Sequence, residues 1–232
     1  ASHCSSDERA RALLTAASSL LPLLEIGRPV ESAYLHDAMT AAFGGTDAEG
    51  AWDWKSAYDA CEVAQILFLR RFGPAILSRG GPRSRSLALI ERVSALLPTH
   101  TRRSETSQAL QQYSTPAGLS FVAVVAASIG AGETVLEPSA GTGMLAIQAE
   151  LAGAQLVLNE LAEGRAALLS RLFSSVAVSG HDAASIDDRL PISARPSVIL
   201  MNPPFSAVAH VDRTMKDAAL RHIASALARL EH

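Results

Sequence analysis

Apolar residues recur every three to four positions through the first hundred residues of the chain. This spacing places them on one face of a helix, until a glycine or a proline interrupts the pattern. The predicted helices cover about Leu13–Leu24, Tyr34–Phe43, Trp54–Phe72 and Leu87–Leu97. Gly73-Pro74 is predicted to end the third helix, and Pro98 the fourth. No strand-like alternation is found here, so residues 1–104 are predicted to form an all-α helical bundle.

The pattern changes after residue 115, where short aliphatic runs alternate with helical stretches. The predicted strands are Thr134–Leu136, Gln155–Leu158, Val176–Val178 and Ser197–Leu200. The predicted helices run from about Met144 to Ala152, Ala162 to Phe173 and Thr214 to Arg229. Alternation of this kind predicts βαβ units and a parallel sheet, and hence an α/β domain over residues 105–232. Ligands of such sheets bind beyond the carboxyl ends of the strands.

The first strand runs into Leu136-Glu137-Pro138-Ser139-Ala140-Gly141-Thr142-Gly143, and a helix follows. Gly141 and Gly143 allow a sharp turn and a close approach of the backbone to a ligand. The helix start adds N–H groups, and the carboxylate of Glu137 suits an ammonium group. The Gly-Lys-Ser/Thr ending of a phosphate-binding loop is missing, as is the third glycine of the dinucleotide fingerprint.

Acidic residues also follow the second and third strands. Asn159-Glu160 ends the second strand, where Glu160 could accept both hydroxyls of a ribose. The alternative is a surface carboxylate that stabilises a helix N-terminus. His181-Asp182-Ala183 ends the third strand, and Asp182 could accept a hydrogen bond from an adenine amino group or simply cap a helix.

The fourth strand ends in Met201-Asn202-Pro203-Pro204-Phe205, the most specific motif of the chain. The two prolines fix the backbone and remove two N–H donors, so the carbonyls are left as acceptors. The side-chain oxygen of Asn202 and a nearby carbonyl would fit an NH₂ group, which has two hydrogens to donate. Phe205 offers a flat face on which an extruded base could stack. A rigid turn that closes the strand is the simpler alternative.

Composition and charge bear on which partners, metals and cell compartment to expect. The net charge of -3 argues against a protein that coats nucleic acid, and residues 116–232 carry 8 Lys and Arg against 11 Asp and Glu. The two cysteines lack metal-ligand spacing, so no metal is expected and Cys61 is predicted to be a buried thiol. The apolar run Ala12–Leu24 contains Thr, Ser and Pro and follows acidic residues, so we expect a cytoplasmic protein without a membrane span.

Together, these motifs resemble the class I S-adenosylmethionine-dependent methyltransferases that modify amino nitrogens, especially the N6-adenine DNA enzymes. Gln112-Tyr113-Ser114-Thr115-Pro116 is similar to the Thr-Pro segment that precedes the glycine loop in that family. The resemblance covers about residues 105–229 and implies a Rossmann-like sheet. The implied cofactor-binding residues are Tyr113, Thr115, Pro116, Glu137, Pro138, Ser139, Ala140, Gly141, Gly143, Asn159, Glu160, Asp182, Ala183 and Asn202.

Within that set, the resemblance places Glu137, Gly141 and Gly143 on the methionine part, Glu160 on the ribose and Asp182 on the cofactor adenine. It places Asn202, Pro203, Pro204 and Phe205 on the target amine as the catalytic residues. The family sheet has seven strands, whereas four are predicted here, so we expect the methyltransferase-like domain to be C-terminally truncated.

The whole chain also resembles the N-terminal region of bacterial strawberry-notch-like proteins, in which a methylase-like domain precedes a helicase-type ATPase. Gly50-Ala51-Trp52-Asp53-Trp54-Lys55 and Leu97-Pro98-Thr99-His100-Thr101-Arg102-Arg103 carry this resemblance. It implies a C-terminal helicase region in the full protein and DNA as the partner. The alternatives are a non-catalytic methyltransferase-like module that binds nucleic acid or a partner, and an enzyme that methylates ribosomal-RNA bases or protein glutamine, which present the same planar NH₂.

Overall fold

The computed structural model describes residues 5–78, 82–98, 114–191, 193–203 and 216–230. These residues form an α/β protein with nine α-helices and one four-stranded, all-parallel sheet. The chain divides into two compact units. The first comprises Ala1–Ser104 with Pro116–Leu119, and the second comprises Glu105–Thr115 with Ser120–His232.

The first unit is helical, as the periodicity predicts. Its long helices are α1 (Ser6–Glu25), α2 (Ser32–Phe43), α3 (Trp54–Ser78) and α4 (Arg83–Ser94). Each buries the apolar face expected from the sequence, including Leu20 of α1 and Met39 of α2, which are 0% exposed. Cys61 of α3 is buried as predicted, and burial together with the nearby charge of Glu62 raises the pKa of its thiol to about 12.

The predicted end of the third helix at Gly73-Pro74 is wrong, because α3 continues through both residues to Ser78. Proline disfavours a helical residue before it mainly by contact with that residue's Cβ and N–H, and Gly73 has no Cβ. Gly73 is also buried, so packing favours continuation. The fourth helix begins and ends a few residues earlier than predicted.

The second unit contains the parallel sheet. Its elements are α5 (Ala117–Ala126, which starts in the first unit), β1 (Thr134–Glu137), α6 (Met144–Leu151), β2 (Gln155–Asn159), α7 (Glu163–Leu172), β3 (Val178–Ser179), a 3-10 turn (Ala183–Ser185), α8 (Ile186–Arg189), β4 (Val198–Ile199) and α9 (Lys216–Leu227). The strand order is β3-β2-β1-β4. Thr134 of β1 pairs with Gln155 of β2, and Val135 pairs with Val198 of β4.

Hydrophobic clusters cover both faces of this sheet. Val135 packs with Leu145 and Ala149 of α6, whereas its neighbour Leu136 packs with Ile186 and Ala226. Successive side chains of a strand point to opposite faces, so the continuous aliphatic run of β1 supplies both clusters. The central strand is thereby fixed, and so is the position of the loop that leaves it.

Candidate functional site

A cavity lies at the carboxyl ends of β1 and β4, where the strand order reverses direction. Such a reversal leaves a crevice in which parallel sheets bind ligands. The cavity has a volume of about 30 Å³ and opens to solvent. The cavity is lined by Ser114, Thr115, Glu137, Ser139, Ala140, Gly141, Thr142, Met144, Leu145, Arg165 and Asn202. Six of these were predicted from the sequence: Thr115, Glu137, Ser139, Ala140, Gly141 and Asn202.

Glu137 is the buried acid of the cavity. It is 2% exposed, and its Oε2 atom is buried without a hydrogen-bond partner among the described residues. Burial, and next the negative charge of Glu160, raise the pKa of the Glu137 carboxyl well above its usual range. A buried acceptor without a donor is costly, so this oxygen is suited to a cationic or N–H donor from a ligand.

Gly141 and Gly143 shape the loop between β1 and α6, and both have a positive φ, of 58° and 96°. At Gly143 a Cβ would lie 2.5 Å from the Phe173 ring, so a glycine is required there for packing as well as for conformation. At Gly141 the nearest atom to a Cβ would be Nη1 of Arg165, at 3.9 Å. Gly141 therefore keeps the backbone open toward the cavity.

Glu160 holds this loop against the end of β2. The backbone N–H of Gly141 donates to its Oε2 at 2.8 Å, and that of Ala162 donates to its Oε1 at 2.9 Å. Each carboxylate oxygen accepts more than one hydrogen bond, so these contacts leave acceptor capacity for a diol. The structure thus shows a loop-holding role, while the ribose contact of Glu160 stays a prediction.

The side chain of Asn159 forms its hydrogen bonds within the protein. Its Nδ2 donates to the carbonyls of Pro138 and His181 at 2.9 and 2.8 Å, and its Oδ1 accepts from His181 N and Ser179 Oγ, both at 2.8 Å. A side-chain amide has two donors and two lone pairs, so all of its capacity is used. The side chain of Asn159, which is 0% exposed, ties together the ends of three strands, and a cofactor contact of Asn159 stays a prediction.

Asp182 caps the short turn that follows β3. Its Oδ1 accepts from Ala184 N at 2.9 Å, and its side chain is 62% exposed. Ala183 beside it is buried. Nε2 of His222, on α9, lies 3.8 Å from the same carboxylate; burial lowers the pKa of His222, and the Asp182 charge opposes that shift. The capping alternative for Asp182 is therefore seen, and its contact with a cofactor adenine is a prediction.

Asn202 joins the Thr-Pro segment to the fourth strand. Its Nδ2 donates to Thr115 Oγ1 at 3.2 Å, across 87 residues of sequence. This bond holds the Asn202 amide beside the Thr-Pro segment. Pro116 and Pro203 adjoin these two residues, whereas Tyr113, Pro204 and Phe205 lie outside the described part of the chain.

Five lining residues were not predicted from the sequence, and Arg165 is the charged one among them. It is 8% exposed and lies on α7 in the series Arg165, Leu168, Leu169 and Leu172, which are all buried. That series has the i, i+3, i+4, i+7 spacing of one helix face. An arginine on the apolar face of a helix was the available signal, because such a charge is rarely buried without a purpose.

A second, wider groove crosses the sheet face at β2 and β3. It is lined mainly by aliphatic side chains, and Glu150 is its one titratable residue among those described. Binding sites combine apolar walls with several convergent polar groups. The cavity at the strand ends has several convergent polar groups and is therefore the better candidate for a binding site.

No protein-family model, curated protein or solved structure matches the chain. Within the described ranges, no helix is both long and apolar enough to cross a bilayer. Nor do three or more His, Cys, Asp or Glu side chains converge there in a way that could hold a metal ion.

Proposed function

We propose that the cavity binds S-adenosylmethionine and that the protein transfers its methyl group to an exocyclic amino nitrogen, N6 of adenine in DNA. The observation that carries this proposal is the meeting of Glu137, Gly141, Thr115 and Asn202 around one cavity. These residues come from three separate motifs of the sequence. The strand order β3-β2-β1-β4 supports the further proposal that the sheet is Rossmann-like, as in methyltransferases.

The residues of the cavity fit the proposed cofactor. The buried Glu137 Oε2 offers an acceptor for an ammonium group, and Gly141 leaves room for close approach of a ligand. Glu160 lies outside the lining of the cavity and accepts a hydrogen bond from the Gly141 N–H, and we propose that ribose hydroxyls bind to its remaining lone pairs. When bound, S-adenosylmethionine supplies an electrophilic methyl group on a sulfonium.

The chain's own part in such a transfer is alignment of the amine. Asn202 Oδ1 and the Pro203 carbonyl would accept the two amino hydrogens and direct the nitrogen lone pair toward the methyl carbon. Positive charge grows on the amine as it reacts, and these acceptors stabilise it. Thr115 acts through Asn202, whose amide it orients.

The nature of the acceptor is inferred from the Asn-Pro-Pro-Phe motif. A planar NH₂ fits the two acceptors, and Phe205 would stack on a flipped base. The second unit contributes more acidic than basic residues, so binding to the DNA backbone would depend on other parts of the protein. A helicase-type region in the full protein, which the resemblance to strawberry-notch-like proteins implies, is the part that we propose for this contact.

Methyl transfer from tritiated S-adenosylmethionine to DNA tests this proposal, with the product nucleoside identified by mass spectrometry. We expect N6-methyladenine and no label on adenine-free DNA. Asn202→Ala should lower the transfer rate by about 100-fold or more, because one preorganised hydrogen bond to developing charge is removed. Thr115→Val should cause a smaller loss.

Gln155→Ala provides the matched control, since it removes an exposed amide at the opposite end of β2. Its transfer rate should equal that of the wild type. A rate unchanged in Asn202→Ala would contradict the proposed role of the motif. Label found in RNA or in protein glutamine instead of DNA would show that DNA is not the methyl acceptor. Cofactor binding without any methyl transfer would indicate a non-catalytic module.

A further inference from the structure

One cationic side chain is buried at the cavity. Arg165 is 8% exposed, and its Nη1 would lie 3.9 Å from a Cβ at Gly141, the open point of the glycine loop. Among the residues described around the cavity, it is the one cation. The guanidinium therefore lies at the loop that the proposed cofactor would approach.

We propose that Arg165 binds the α-carboxylate of the ligand's amino-acid end and so sets the specificity of the cavity for a zwitterion. This inference rests on the proposed function and deepens it. An α-amino acid carries an ammonium and a carboxylate on one carbon. Glu137 contributes a buried carboxyl and Arg165 a buried guanidinium to the lining of this one cavity.

The chemistry of the Arg165 side chain matches this role. Guanidinium is planar and presents paired N–H donors that match the geometry of a carboxylate. Arg165 lies on the otherwise leucine-rich face of α7, with its Nη1 beside the glycine loop.

The test compares two ligands on each protein. S-adenosylhomocysteine carries the carboxylate, and its decarboxylated analogue lacks only that group; both are titrated calorimetrically into the wild type and into Arg165→Met. We expect the variant to lose about 10- to 100-fold in affinity for S-adenosylhomocysteine, as expected for loss of a charge-assisted hydrogen bond. Its affinity for the decarboxylated analogue should change by less than about threefold.

Arg171→Met is the control, because Arg171 is an exposed arginine on the same helix. It should leave both affinities unchanged. If Arg165→Met is unfolded by circular dichroism, the same comparison is made on Arg165→Lys, which keeps the charge but loses the paired donors. A selective loss for the carboxylate-bearing ligand is the expected result there as well.

The outcomes separate the two proposals. One outcome is that the wild type binds S-adenosylhomocysteine while Arg165→Met lowers the affinity for both ligands equally, or for neither. In that case the assignment of Arg165 is overturned and the proposed function stands. If the folded wild type binds neither ligand, the proposed function is overturned, and the role of Arg165 with it.

Discussion

Gly141 and Gly143 share a left-handed backbone conformation but differ in their surroundings. An alanine at 141 meets open space apart from one Arg165 nitrogen at 3.9 Å, whereas at 143 it meets the Phe173 ring at 2.5 Å. We expect Gly141→Ala to lower the free energy of unfolding by about 1–2 kcal/mol, which is the cost of the conformation alone. Gly143→Ala adds overpacking and should lower it by about 3 kcal/mol or more.

Urea unfolding followed by circular dichroism checks this pair. Each glycine variant is the control for the other, because the change in side chain is the same. Equal losses would show that the contact with Phe173 does not restrict Gly143.

The buried carboxyl of Glu137 makes stability depend on pH. Its pKa is raised in the folded chain by burial and by Glu160, from an ordinary value of 4.5. The folded state therefore holds a proton that the unfolded state has released, so stability is full below pH 4.5 and is lost as the pH rises through the folded pKa. The loss is at most about 1.4 kcal/mol per pH unit.

Glu137→Gln should remove this dependence, because glutamine has the same shape and does not ionise. Urea midpoints measured from about pH 5 to 8 should fall more steeply for the wild type than for the variant. Glu163→Gln is the control, since Glu163 is an exposed acid at the start of α7. Parallel pH profiles of the wild type and Glu137→Gln would contradict the burial of a protonated carboxyl.

At the level of elements, Asn159 ties the loop after β1 to the ends of β2 and β3. Asn159→Ala leaves two carbonyls, one N–H and one hydroxyl to find other partners. We expect it to lower the free energy of unfolding by about 2–4 kcal/mol, since each buried group left unsatisfied costs about 1–3 kcal/mol and some will reach water.

Asn159→Asp refines the test, because it keeps the shape but directs an acceptor at the carbonyls of Pro138 and His181. It should destabilise at least as much as alanine. Ser179→Ala, which removes one of the four bonds, should cost about 1 kcal/mol. Chemical denaturation gives the free energy of unfolding of all three variants. An Asn159→Asp variant as stable as the wild type would contradict the role of the Asn159 amide in linking the three strand ends.

The sequence predicts the limits of the two central strands, β1 and β2, better than those of β3. The limits of β1 and β2 are within one residue of the prediction, because both are bounded by turn residues and paired along their length. β3 begins at Val178, two residues later than predicted. It lies at one end of the described sheet and pairs only through Val178 and Ser179, so its aliphatic run does not determine its register.

At the scale of the molecule, the place of the site could be predicted while the roles of its residues could not. The carboxyl ends of parallel strands share one edge, so residues after β1, β2 and β4 had to meet. Which polar groups bond inside the protein depends on packing. For this reason the side chain of Asn159 was found to link three strand ends, and Arg165, which was not singled out in the sequence, was found to line the cavity.

The central claim is that this cavity binds S-adenosylmethionine, and titration calorimetry with S-adenosylhomocysteine tests it most directly. The predicted result is one site per chain with a Kd of about 1–10 μM, and a large loss of affinity in Glu160→Ala. A folded chain that shows no binding at about 1 mM ligand would contradict the account.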